Sequence, residues 1–220
     1  MNARPSPRAW DDPAHAVRYL DGGVDVPHRA EGESELVESL QAPVDRVLDL
    51  GCGDGRLLAV VLAAHPGASG LALDHNPTML DAATERFHRS QTVEVVNHDF
   101  ELPLPDSLGR FDAIVSALAI HHLELDRRLD LYHEVLGLLR PGGVFADLDL
   151  VRSGSEVLHD RFIELVWWDR EANSSWDRHP SLEQRHAWLV DTGFRNVDCT
   201  WKWRELALVV GEAPMTKETP

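Results

Sequence analysis

The sequence predicts an α/β protein: a doubly wound, mostly parallel sheet with helices on both faces. Three observations carry that reading. From Val44 to Val210, apolar runs of strand length alternate with segments of helical periodicity, the pattern of right-handed βαβ units. The first run, "RVLDL" (46–50), ends in a glycine-rich turn, "GCGDG", that opens a helix. The last two runs, "VDCTW" and "ELALVV", have only "KWR" between them, room for an antiparallel hairpin but not for a crossover.

The elements follow in order. After "RVLDL", the segment "LLAVVLAAH" (57–65) reads as a helix and "SGLALD" (69–74) as the second strand. "PTMLDAATERFH" (77–88) has Pro77 at a plausible first helical position, with Met79, Leu80, Ala83 and Phe87 on one face. "VEVVN" (93–97) and "FDAIVSA" (111–117) are strands separated by the Pro-rich loop "ELPLPDSLG". A helix is expected from about Asp126 to Leu139, closed by "LRPGG" (139–143), where Pro141 stops the helix and the glycines turn the chain. "VFADLDL" (144–150) is the fifth strand, and a helix over 181–192 ends at Gly193 ahead of the hairpin. The expected division is an N-terminal arm and lid helix over 1–43, the α/β domain over 44–212 with a lid insert at about 151–180, and a loose tail over 213–220.

Composition narrows the partners. Lys+Arg 21 against Asp+Glu 37 gives a net charge of −16, which argues against nucleic acid or an anionic membrane as main partner, since both demand clustered cations. No apolar run approaches the ~20 residues of a membrane helix, and "MNARPSPRAWDDPAHA" lacks the apolar core of a signal peptide. With Cys52 and Cys199 far apart and outside any metal-ligand spacing, the expectation is two reduced thiols in the cytoplasm.

The glycine loop decides the ligand class. A dinucleotide fingerprint is G-x-G-x-x-G, with its pyrophosphate at a helix N-terminus. Here the glycines are Gly51, Gly53 and Gly55, and position 56 is Arg. Asp49, just ahead of them, would oppose a phosphate but attract an ammonium group. S-adenosylmethionine carries that ammonium, a sulfonium and an adenosine, and no phosphate. Asp74 ends the second strand, placed to accept ribose hydroxyls or to cap the following turn. Asp99 after the third strand could accept the adenine amino group, with Phe100 beside it or in the core.

The pieces "VLDLGCGDG", "LALDHNPTMLDAA", "VNHDFELPLP", "FDAIVSALAIHHL" and "LLRPGGVF" resemble the class I S-adenosylmethionine-dependent methyltransferases of the small-molecule type. The likeness spans Val44 to Leu150, and "HAWLVDTGFRNVDCTWKWRELALVVG" is similar to that family's closing helix and hairpin. It implies a Rossmann-like, seven-stranded sheet whose last strand is antiparallel, and S-adenosyl-L-methionine as cofactor. It also implies that Asp49, Gly51 and Gly53 face the methionine portion, Asp74 the ribose, and Asp99 and Phe100 the adenine. Ser116 and Ala117 would border the methyl-transfer site. His75 departs from the apolar or acidic residue common there, so its adenosine contact stays open.

Methyl transfer from a sulfonium needs proximity, alignment and a deprotonated acceptor. His121 and His122 follow the fourth strand and suit general-base work; against that, "HHL" more commonly serves as a loop brace in the family it resembles. No metal is expected, because the other histidines show no ligand spacing. The acceptor pocket should come from the two segments outside the core. Tyr19, Arg29 and Glu33 are candidates in the first, and Phe162, Trp167, Trp168 and Trp176 in the second. The expected acceptor is a small molecule, and the oligomeric state is left open. The alternatives are a non-catalytic protein that binds the same cofactor, and an NAD(P)-dependent oxidoreductase, which the glycine spacing and Asp49 oppose.

Overall fold

The computed structural model describes residues 13–23, 26–40, 43–166 and 179–215. Its sheet has seven strands: β1 (Arg46–Leu50), β2 (Ser69–Asp74), β3 (Val93–Asn97), β4 (Phe111–Ala117), β5 (Leu139–Leu150), β6 (Arg195–Trp203) and β7 (Leu206–Glu212), in the order β3-β2-β1-β4-β5-β7-β6. The first five run parallel, and β7 pairs antiparallel with both β5 and β6. This is the doubly wound, seven-stranded architecture the alternation predicts.

Seven α-helices accompany the sheet among the described residues: α1 (Pro13–Arg18), α2 (Arg29–Glu38), α3 (Arg56–Ala64), α4 (Pro77–Phe87), α5 (Leu125–Leu138), α6 (Glu156–Val166) and α7 (Leu182–Thr192). Successive residues of a strand face opposite sides, so two cores form. One gathers Val47, Val115 and Leu148 under Leu36 of α2 and Leu58 and Val61 of α3. The other gathers Leu48, Ile114 and Phe145 under Leu131 and Tyr132 of α5 and Leu189 of α7. Local chemistry sets the helix ends. Asn76 caps α4 by accepting from the Met79 N–H, with Pro77 in the first turn. Ser181 and Gln184 form a reciprocal capping box on α7, and Gly193 ends that helix in the left-handed conformation.

Two expectations change. "LRPGG" does not separate a helix from a strand. Helix α5 stops at Leu138, Leu139 is already extended (φ −76, ψ 145) and buried against Phe111, and residues 140–143 form a bulge inside β5. The second change is α2. Its Gly32 sits so close to Leu148 and Trp201 that a Cβ there would crowd both side chains. This helix therefore packs on β5, β6 and β7 as part of a core layer, with Leu36 fully buried, instead of merely crossing the cleft as a lid. No helix is long and apolar enough to cross a membrane among the described residues.

Candidate functional site

The order β3-β2-β1-β4-β5 places the topological switch between β1 and β4, and ligands of such sheets bind there, beyond the carboxyl ends of the strands. Asp49, the glycine loop, Asp74, Asp99, Phe100, Ala117, His121 and His122 all come from that edge.

The glycine loop is held from two sides. The N–H groups of Gly51 and Cys52 both donate to the Leu73 carbonyl, at 2.9 and 3.0 Å. The Asp74 carboxylate accepts from the Gly53, His75 and Asn76 N–H groups at 2.9, 2.7 and 2.9 Å. Asp74 thus caps its own turn through Oδ1, which accepts twice, and clamps the loop through Oδ2, which keeps a second lone pair. The two leading glycines differ. Gly51 has φ +68, and a Cβ there would overlap Ala119; Gly53 has φ +54, and its nearest neighbour would be Met79 Sδ at 3.9 Å. Gly51 is shaped by packing, whereas a Cβ at Gly53 would make only an ordinary contact with Met79.

Asp49 is buried (1 % exposed). Its Oδ2 accepts from the Leu58 N–H at 3.1 Å, while Oδ1 is shut from water with no hydrogen-bond partner. Burial, with Asp74 nearby, pushes this carboxyl up to about 8, because the charged form is desolvated and uncompensated. Arg29 opposes that rise, which puts its charge within reach of Asp49. Arg29 donates from Nε to Glu33 at 2.6 Å and from Nη1 to the Tyr19 hydroxyl, and Arg56 Nη1 donates to the same Glu33 oxygen at 3.0 Å. A cleft of about 420 Å³ lined by Tyr19, His28, Arg29, Asp54 and Arg56 opens over this cluster. Tyr19, Arg29 and Glu33 thus converge as the sequence suggests, but they converge on the glycine loop.

Phe100 is buried beside Gly51, and Asp99 accepts from the Glu101 N–H at 2.9 Å. His75 lies next to Asp74, Nδ1 to Oδ1 4.0 Å. The Ser116 hydroxyl is fully buried and donates to the Leu50 carbonyl at 2.9 Å, bracing β4 against β1. Trp167, Trp168 and Trp176 lie outside the described residues.

His121 is buried at 5 % exposure. Its N–H donates to Asp149 Oδ2 at 2.8 Å, and its Nδ1 meets Asp149 Oδ1 at 2.6 Å. The exposed His122 ring stacks 3.9 Å from it. Asp149 belongs to a buried charge network that motif reading misses. Arg128 donates to the His121 and Leu123 carbonyls, and Arg185 to the Leu150 carbonyl. Arg185 also lies 3.6 Å from Asp147 and 3.9 Å from Asp149. Burial raises both acids. For Asp149 it is outweighed by His121 and Arg185, which hold it well below the usual range; Asp147, without the histidine, rises to about 7. A signal for the network does stand in the sequence: two acids two residues apart in the apolar strand "VFADLDL" face one core and demand buried cations.

Residues 47–143 match the family described as "Methyltransferase domain". An uncharacterized methyltransferase of Synechocystis sp. is 33% identical over 111 residues, 50% of either chain. The demethylmenaquinone methyltransferase of Chlamydia trachomatis is 30% identical over 133 residues, 58% of this chain and 56% of that one. The chain spans about half the length of these curated relatives. An O-methyltransferase family protein from Burkholderia thailandensis superposes with a TM-score of 0.76 at 18% identity, over 94% of this chain and 62% of that one. At that identity the likeness is one of fold.

Proposed function

Since the chain carries a class I methyltransferase domain, we propose that it binds S-adenosylmethionine and transfers the methyl group to a small-molecule acceptor. The observation that carries this reading is Asp49 Oδ1, a buried carboxylate oxygen with no hydrogen-bond partner, at the start of a glycine loop whose Gly53 is crowded by no side chain. A ligand ammonium would supply the missing charge, and a phosphate would aggravate its absence. Arg29, which lines the cleft with Asp54 of the same loop, suits the ligand's carboxylate; this reassigns it from the acceptor to the cofactor. Asp74 would take a ribose hydroxyl on the remaining lone pair of Oδ2, and Phe100 with Asp99 would bound the adenine. Bound there, S-adenosylmethionine supplies an electrophilic methyl on a cationic sulfur. The protein's part is to align the acceptor and take its proton where it has one. His121 suits the second task, because the Asp149 carboxylate at Nδ1 favours the tautomer that leaves Nε2 as the acceptor. The demethylmenaquinone methyltransferase among its relatives supports a small-molecule acceptor.

Calorimetry tests the reading. S-adenosylmethionine and S-adenosylhomocysteine should bind and NADH should not. Asp74→Ala should weaken binding by roughly 1–3 kcal/mol, the cost of unpaired polar groups. Tight NADH binding with no response to either sulfur ligand would overturn the proposal.

A further inference from the structure

The β6–β7 hairpin turns at the same edge of the sheet as the glycine loop, since β7 runs antiparallel and Leu206, its first residue, pairs with Leu150, the last of β5. The turn is Arg204-Glu205. Arg204 holds φ +54, a left-handed conformation that a non-glycine residue seldom takes without a local reason. Its partner in the turn is anchored: Glu205 is 2 % exposed, its Oε1 accepts from the Ser153 N–H and His159 Nδ1, both at 3.0 Å, and its carbonyl accepts from the Val151 N–H at 2.7 Å. That anchoring over-determines the turn and fixes where Arg204 points.

The guanidinium of Arg204 lies over two aromatic rings, 4.5 Å from the Trp203 centroid and 5.4 Å from that of Phe162 on α6. Trp203 stacks on His28, centroids 4.4 Å apart, and His28 lines the cleft over the glycine loop. Stacking occupies the faces of a guanidinium and leaves its donors in the plane of the fork. One of them, Nη1, is shut away from water, which leaves Nε and Nη2 as the donors a ligand can reach, and Arg204 has no carboxylate partner among the described residues. Arg29 and Arg56, the cations that line the cleft itself, both hold Glu33, and Arg29 is assigned above to the cofactor's carboxylate.

We infer that Arg204 is a specificity residue for the methyl acceptor and that it holds an oxyanion, carboxylate or phosphate, by its in-plane donors. The inference rests on the methyltransferase reading above and extends it to the acceptor's chemistry. Neighbouring strands are ~4.8 Å apart, and β7 lies two strands from β4. The ends of β4 and β7 are therefore ~10 Å apart, and the acceptor's apolar body would lie between them along Trp203 and Phe162.

The test is binding, in the full chain, of four probes with and without S-adenosylhomocysteine: 3-phenylpropionate, 3-phenylpropionamide, phenyl phosphate and benzyl alcohol, followed by saturation-transfer NMR. At least one anion should bind about tenfold more tightly than the neutral probes, the scale of a charge-assisted fork, and whichever does so names the oxyanion. Arg204→Gln should abolish that preference, and Arg204→Lys should keep the charge preference at reduced strength. Both variants should bind S-adenosylhomocysteine as the parent does. Equal binding of anions and neutral probes by the parent, or an unchanged preference in Arg204→Gln with a native melting curve, would overturn the inference. Failure of the parent to bind S-adenosylhomocysteine would instead overturn the methyltransferase reading, and the ligand-free arm keeps the two failures apart.

Discussion

At the scale of single residues, the glycine loop separates folding from binding. Gly51 and Gly53 both hold positive φ, but a Cβ at Gly51 would overlap Ala119 while one at Gly53 meets only Met79 Sδ at 3.9 Å. Gly51→Ala should therefore cost about 2 kcal/mol or more in urea unfolding, through overpacking and left-handed strain together. Gly53→Ala should cost about 1 kcal/mol of strain alone, yet weaken S-adenosylhomocysteine at least ~10-fold, because its new methyl enters the space the ligand needs. Equal effects of the two on stability would show that the loop's environment has been misassigned. Asp49 makes the second residue-scale prediction. Burial holds it protonated up to about 8, whereas a bound ammonium favours the carboxylate, so at pH 6.5 ligand binding should release a proton from Asp49. Calorimetry in buffers of different ionisation enthalpy measures that proton, and affinity should rise with pH until about 8. Asp49→Asn should release none; proton release that persists in that variant places the titration elsewhere.

At the scale of elements, α2 shows where pattern reading runs out. The alternation that marks strands, the Gly-rich turn after β1 and the Ser181 capping box are local signals, and the sequence displays them directly. Helix α2 displays no such stripe: "RAEGESELVE" holds Gly32, Glu33 and Leu36 buried, one of them an acid. Its burial depends on partners distant in sequence, Arg56 on α3 and the Leu148 and Trp201 side chains on β5 and β6. The bulge at 140–143 is hidden for the same reason, since Pro and Gly forbid a helix but do not say whether the chain that follows is already paired. Glu33 receives both Arg29 and Arg56 at 2 % side-chain exposure. Removing it leaves two guanidinium groups uncompensated beside the cleft, one of them largely buried. Glu33→Ala should therefore destabilise by about 3 kcal/mol, with Glu33→Gln recovering part of that by hydrogen bonding. Hydrogen exchange on the ligand-free parent should find 29–38 protected, as a core helix is. Rapid exchange throughout 29–38, or a silent Glu33→Ala, would return this helix to the role of a lid.

At the scale of the whole molecule, the site's polar half was legible and its charge balance was not. Asp49, the glycines, Asp74 and the two histidines stand in contiguous motifs at strand ends. Arg128, Asp147, Asp149 and Arg185 come from α5, β5 and α7 and meet only in the folded core. These buried acids fix how stability depends on pH. Asp49 and Asp147 titrate near about 8 and about 7 in the fold, but near ~4 in the unfolded chain. Between those limits the folded state holds more protons than the unfolded one. Stability must therefore fall as pH rises from ~4 to ~8. Asp149 works in the opposite sense. Its folded value lies below the usual range, so its contribution is present above ~4 and is lost as pH falls further. The net charge of −16 at pH 7 adds self-repulsion on the alkaline side. The ligand-free protein should accordingly be most stable near pH ~4–5, with its urea midpoint lower at pH 8 than at pH 5. Asp147→Asn, which cannot ionise, should flatten that decline. S-adenosylhomocysteine, by bringing an ammonium to Asp49, should stabilise the fold more at pH 8 than at pH 5. A ligand-free midpoint that rises from pH 5 to pH 8 would refute the buried-acid account, and equal ligand stabilisation at both pH values would remove Asp49 from the binding site.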